Sequence, residues 1–409
     1  MAHWTEFGLN HNMPHFSARH KVDFPPPLQA LIDERAAGLT EPLTGISTDR
    51  TIQEGLFGLE ATGVSTEPIS EAAQAFLTGL DAERRDRAML PVDAEQRRTW
   101  LSIHPYVFRH GVMLEDLPQA QRELGLDLLR TSLSYRGFGQ ARDIMRLNRL
   151  LADVSDSPDE FGEWPYFVSI FGEPASGQPW AWQIDGHHLN VNCTVIGDQM
   201  VLTPTFMGSE PCHVYEGPLA GTVVFSAEER AGLDLIRSLD DTQTGTCVLR
   251  PSIHPDDLPP ELQDLFDGRM VAGAFKDNAK IAYEGVSASD LSDAQRKLLR
   301  MLVATYVGWT REGHAEVKMR EVDAHLDETH FAWMGTTDAD GPFYYRVHSP
   351  VVLIEFDHHP GIVFDNLVPS RNHIHTVVRT PNAGDYGADL LRQHHDRYDH
   401  SHGHHEVRG

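Results

Sequence analysis

Up to Pro25-Pro26-Pro27 the chain shows no sustained hydrophobic period, and only the residues just after suggest a short helix, so residues 1–40 read as an N-terminal arm. From Ser70 to Leu151 apolar positions recur every three to four residues, the spacing that turns one helix face toward a core. Ala72, Ala73, Phe76, Leu77 and Leu80 share such a face. Leu126, Leu128 and Leu129 continue it, as do Ile144, Leu147 and Leu150. A helical scaffold over residues 70–155 is predicted.

At Trp164 the period shortens to alternation, the mark of a strand. Tyr166-Phe-Val-Ser-Ile-Phe-Gly172 reads as one strand, and Trp180 to Phe206 as a long hairpin reversing at Gly197-Asp198, where glycine tolerates the positive φ of a tight turn. Two capping boxes, Ser226 with Glu229 and Ser292 with Gln295, precede apolar runs and announce helices. The second helix should run from about Asp293 to Tyr306. Strands return at Thr329–Gly335, Pro342–His348, Val351–Asp357 and Asn372–Arg379, with a closing helix from Asp385 to His394. The pattern shows no internal repeat. It predicts a single α+β domain over residues 41–395, in which the helical part packs on a mixed or antiparallel sheet formed from the β-rich stretches 164–225 and 329–379. A His-rich tail, 396–409, follows.

Composition narrows the function. Hydrophobic residues make up 40% and charged residues 23%, as in folded globular chains. With 34 basic against 60 acidic residues, the net charge of −26 repels nucleic acids and anionic lipid surfaces. No apolar run suits a membrane span or a signal peptide, so a cytoplasmic protein acting on a small-molecule substrate is expected. Cys193, Cys212 and Cys247 are an odd, widely spaced set that suggests neither disulfides nor a thiolate metal site. Any metal must then be held by nitrogen and oxygen.

Among 24 histidines, those at 394, 395, 400, 402, 404 and 405 fall in or beside the polar tail, where metal binding is adventitious. The informative segment is Asn372-His-Ile-His-Thr-Val-Val-Arg379, in which alternation projects His373, His375 and Arg379 to one side. A second is Trp180-Ala-Trp-Gln-Ile-Asp-Gly-His-His-Leu189. There His188 begins a polar face with Asn190, Asn192 and Thr194, which Thr203 and Thr205 extend, and His187 points to the opposite face unless Gly186 admits a bulge. His330 opens another strand, and Tyr344, Arg346 and His348 alternate on the next. Glu355 interrupts an apolar strand, where a carboxylate needs a partner or a role.

Three stretches, Trp180 to Leu189, Gly341-Pro-Phe-Tyr-Tyr-Arg346 and Asn372 to Asn382 with Asp385-Tyr-Gly387, resemble a family of bacterial and fungal proteins. It is catalogued only as a domain of unknown function, numbered three thousand five hundred. The resemblance runs from about Leu43 to His395 and implies one domain but no reaction.

The expectation is a mononuclear centre of His188, His373 and His375, with His330 and His187 as further ligand candidates, holding a divalent transition metal. Zinc suits it best, with iron and copper as alternatives. Such a centre would activate water for hydrolysis, with Glu355 or Asp185 accepting the proton and Arg346 or Arg379 binding a substrate carboxylate or oxyanion. An oxidoreductase at the same site and a non-catalytic metal-binding protein are the alternatives. Trp180, Trp182, Trp333 and Tyr344 are candidates for an aromatic substrate pocket.

Overall fold

A computed structural model describes residues 7–11, 15–174, 177–338 and 340–398. After α1 (Pro26–Ala37), helices α2 (Glu67–Gly79) and α3 (Ala82–Ala88) lead into the short strand β1 (Met89–Leu90). Strand β2 (Val112–Met113) precedes α4 (Gln119–Ser132) and α5 (Tyr135–Val154). A meander then follows: β3 (Tyr166–Phe171), β4 (Trp180–Gly186), β5 (Leu189–Ile196), β6 (Gln199–Val201) and β7 (Thr205–Ser209). The predicted helices are there, but two strands and the intervening loops interrupt the scaffold between residues 89 and 118.

The second half repeats the order. Helices α6 (Ser226–Ile236) and α7 (Asp241–Cys247) lead into β8 (Val248–Arg250), and β9 (Val286–Ser287) precedes α8 (Asp293–Val307) and α9 (His314–Ala324). The meander β10 (His330–Gly335), β11 (Phe343–His348), β12 (Leu353–His358) and β13 (Ile374–Arg379) comes next, and α10 (Ala388–Arg397) closes the chain. The 13 strands among the described residues form one mixed sheet with the order β1-β3-β4-β5-β7-β13-β12-β11-β10-β8. That order is palindromic: β1 runs parallel to β3 as β8 does to β10, and β2 and β9 flank β3 and β10. The halves meet where β7 and β13 pair antiparallel.

This corrects the expectation of no internal repeat. Val112-Met-Leu-Glu-Asp-Leu-Pro-Gln-Ala-Gln-Arg122 corresponds to Val286-Ser-Ala-Ser-Asp-Leu-Ser-Asp-Ala-Gln-Arg296. Arg122 donates to the Leu114 carbonyl and Arg296 to that of Ala288, equivalent bonds at equivalent positions. Gly111 and Gly285, both at positive φ, approach the backbones of Val168 and Phe331 so closely that an added Cβ would collide with the carbonyl oxygens. Elsewhere the halves keep only polarity and rough size, which a core tolerates, and the repeat fades from the residue pattern.

Both faces of the sheet are covered. The largest core cluster packs α2, α4, α5, α6 and α8 against the strands, and a second joins Trp100, Phe206, Phe266, Leu353 and Val377 beneath the loops. Every residue of β3, β4 and β5 is therefore buried. The polar side chains of β5 serve internal bonds, such as Gln183 Nε2 to Asn192 Oδ1 at 2.7 Å.

Of the two capping boxes, Ser292 with Gln295 forms in full. Ser292→Ala should lower stability by about 1 kcal/mol, read as a reduced denaturant midpoint at unchanged m-value. The other does not form. Phe225 occupies the cap position, and Glu229 is drawn instead to Arg371 and His358, with Nε to Oε1 at 2.6 Å and Nε2 to Oε1 at 3.0 Å respectively.

Candidate metal site

The chain reverses at Gly197-Asp198 as expected, where Ile196 pairs with Gln199, and also at an earlier turn that the sequence pattern did not mark. Gly186 pairs with Leu189, leaving His187-His188 as a two-residue tip. His188 takes φ +61°, a left-handed conformation uncommon for a residue with a side chain. Its N–H donates to the Ser102 carbonyl and its own carbonyl accepts from Gly208 N–H, each at 2.8 Å. The strain is therefore held from both sides. At the centre of the sheet His373 precedes β13 and His375 lies within it, so alternation directs both rings the same way. Across the β7–β13 ladder His375 faces Gly208. A Cβ there would lie 3.0 Å from His375 Cδ2 and 3.2 Å from His188 Cδ2, so Gly208 leaves the space in which the rings meet. Gly208→Ala should weaken metal affinity about tenfold, as measured by competition with a coloured chelator.

The three rings converge through one atom each. Nε2 of His373 lies 3.0 Å from Nε2 of His375 and 3.3 Å from that of His188, and the third separation is 3.1 Å. His373 Nδ1 lies 2.7 Å from the Pro360 carbonyl, which can only accept. Nδ1 therefore donates to that carbonyl, which aims Nε2 at the other two rings. Burial first, then the neighbouring imidazoles, push His188 and His375 well below the usual histidine range, so both are neutral near pH 7. Bare nitrogens this close repel unless a cation lies between them. Nitrogen ligands at about 2.0–2.1 Å from zinc are separated by about this much, so the donor set fits the ion.

Around the triad lies a supporting shell. His187 stacks on His188 with ring centres 3.9 Å apart and donates Nδ1–H to Asn148 Oδ1 at 2.7 Å. Its expected position on the opposite face is thus corrected: it backs a member of the triad but does not join it. His359 lies 4.0 Å, ring to ring, from His375, and its Nε2 is 3.0 Å from Asp357 Oδ2. Glu210 accepts N–H groups of Ile362, Val363 and Phe364, with Oε2 3.9 Å from His373 Nδ1. His104 meets His187 edge-on, and its Nε2 is 3.4 Å from Glu160 Oε1. Glu160 is buried, and burial, outweighing a hydrogen bond from the Phe16 backbone, raises its carboxyl to about 7. The triad opens into a cavity of about 280 Å³ walled by Phe16, Leu28, Ile103, Phe266, Ile362 and Val363.

The remaining candidates stand elsewhere. His330 stacks on Tyr283 toward the far edge of the sheet. Arg346 bonds Glu284 and the Tyr344 hydroxyl. Glu355 accepts the N–H groups of Val271 and Ala272 and the Tyr344 hydroxyl, fastening a loop to β12. Arg379, fully buried, pairs with Asp277 and Asp385 at 2.7 Å each. Asp185 accepts Leu101 N–H at 3.1 Å. Each has a structural partner, and none lines the cavity. Trp180, Trp182, Trp333 and Tyr344 are core residues. The tail histidines beyond residue 398 lie outside the described residues.

Gly208, Glu210, His104, Glu160 and His359 lie outside the candidates that the sequence pattern offers. Asp357-His-His359 was the available signal, since a carboxylate two residues before a histidine on a strand shares its face.

A family described as a protein of unknown function (DUF3500) matches residues 62–388. The chain belongs to the DUF3500 family. No curated protein and no solved structure matches it. The family match includes His188, His373, His375, His104, Glu160, Gly208, Glu210 and His359. The three-histidine set draws on both halves of this DUF3500 chain, His188 from the first and His373 and His375 from the second. The connection between β11 and β12, which corresponds to His187-His188, is Ser349-Pro-Val-Val352 and carries no histidine.

Proposed function

We propose that this DUF3500 protein is a metal-dependent hydrolase of a small organic molecule, with His188, His373 and His375 as ligands and zinc as the metal. The observation that carries the reading is the convergence of three buried imidazoles, whose Nε2 atoms lie within 3.0–3.3 Å of one another. A divalent ion held by three nitrogens keeps a coordination position open and lowers the pKa of water there to about 7.

The chain's own residues supply the rest. Apolar walls exclude bulk water, and His359, oriented by Asp357, faces the same cavity. His104 and Glu160 replace Glu355 and Asp185 as the proton-accepting pair, since His104 lines the cavity and a carboxyl at about 7 exchanges protons near neutrality. An all-nitrogen set suits zinc or copper better than iron, which favours two histidines and a carboxylate. The three cysteines are free and buried, which suits a reducing cytoplasm. No described helix is long and apolar enough to cross a membrane.

The test is mass-spectrometric metal analysis of untagged protein, followed by turnover of an ester panel with dioxygen uptake monitored. Stoichiometric zinc with oxygen-independent hydrolysis is expected. Copper with oxygen consumption would replace the reading by an oxidoreductase. Glu160→Gln is a further check. A carboxyl raised to about 7 in the folded state, against about 4.3 unfolded, contributes stability that is full below pH 4.3 and declines as pH rises to 7. The variant should therefore gain melting temperature relative to wild type across that window and level off above it. A constant difference from pH 4 to 8 would show that Glu160 does not titrate there.

A further inference from the structure

We infer that the cavity beside the histidine triad takes an uncharged, mainly apolar ligand about the size of one substituted aromatic ring, and rejects carboxylates, phosphates and ammonium ions. The inference deepens the hydrolase reading and rests on it for the chemistry, though not for the selectivity. At about 280 Å³ the cavity stands at the small end of ligand sites. Phe16, Leu28, Ile103, Phe266, Ile362 and Val363 are among the residues that line it, and no Lys or Arg among the described residues does. Arg346 and Arg379, expected to hold a substrate carboxylate, are bound to Glu284 and to Asp277 with Asp385.

An anion entering would lose its hydration to hydrocarbon and meet the Glu210 carboxylate, with no Lys or Arg of the described residues to compensate, so that only an ion held at the triad could attract it. A cation fares no better at Glu210, whose oxygens are already taken by the backbone N–H groups of Ile362, Val363 and Phe364. What the site offers is suited to a neutral dipole: His104 Nε2 is buried without a hydrogen bond, and both His104 and His359 line the cavity. The approach is apolar as well. Leu265 is 69% and Ile362 39% exposed while lining the cavity, and Leu367, on the loop that carries Ile362, is 81% exposed.

Matched probes test this on the full-length protein. Phenylacetamide, phenylacetate and phenethylammonium share a ring and differ in charge, and calorimetric titration of chelator-treated protein reads selectivity without a metal to attract the carboxylate. The amide should bind at least tenfold more tightly than either ion. Leu265→Arg, at an exposed position that leaves the core intact, should swing the preference toward phenylacetate by tenfold or more. Equal binding of all three, preference for an ion, or no binding of the amide at millimolar concentration would overturn the inference. Metal content of the untreated protein is measured alongside. Zinc at the triad without amide selectivity removes this inference alone, whereas amide selectivity without metal removes the hydrolase reading alone.

Discussion

His375→Ala should strip the protein of tightly held metal, reducing content from about one ion per chain to below a tenth while the fold persists. Its Nε2 is the ligand atom closest on average to the other two, at 3.0 and 3.1 Å, and two remaining imidazoles hold a divalent ion far less firmly than three. The fold should tolerate the change because His375 makes no hydrogen bond outside the triad, its Nδ1 being buried and unpartnered. Loss of the ring should cost about 1–3 kcal/mol of metal-free stability. His330→Ala and a chain ending at residue 398 serve as controls, both expected to retain metal. Wild-type metal content in His375→Ala after dialysis against a weak chelator would remove the proposed centre.

The second large effect is on stability. Arg379 is fully buried, donates to Asp277 and Asp385 at 2.7 Å each and to the carbonyls of Ala272 and Gly273 at 3.0 Å each. Arg379→Ala abandons two buried carboxylates and two carbonyls at once. Removing one partner of a buried ion pair costs about 3–5 kcal/mol, enough to take much of the stability of an ordinary domain. The variant should unfold at a markedly lower denaturant concentration, and Arg379→Ala combined with Asp385→Asn should recover part of the loss. A variant that stays as stable as wild type but loses turnover would return Arg379 to the catalytic role its place beside His375 suggested.

The contrast between these residues shows how far strand alternation reaches. It put His373, His375 and Arg379 on one side of a strand, and the strand Ile374–Arg379 is there. Alternation says nothing about what waits opposite each residue. His375 meets Gly208 and His188, while Arg379, four residues on, meets the Asp277 and Asp385 carboxylates. Glu355 shows the same limit: its buried carboxylate needed partners, as its apolar neighbours implied, but these are the N–H groups of Val271 and Ala272. The Ser226 box failed because Glu229 found stronger partners in Arg371 and His358, a competition no local window contains.

Sequence by itself determined the α+β class, most strand positions in the second half, the Ser292 cap and the three histidines, because each is written in short-range spacing or residue chemistry. Tertiary structure decided the palindromic sheet, the reversal at His187-His188, the space left by Gly208 and the cavity with His104, Glu160 and His359. Those depend on contacts between segments far apart in the chain, such as His188 with His375 and Ser102 with His188. Periodicity fixes where a side chain points along its own element, while only packing of the whole sheet fixes what it meets.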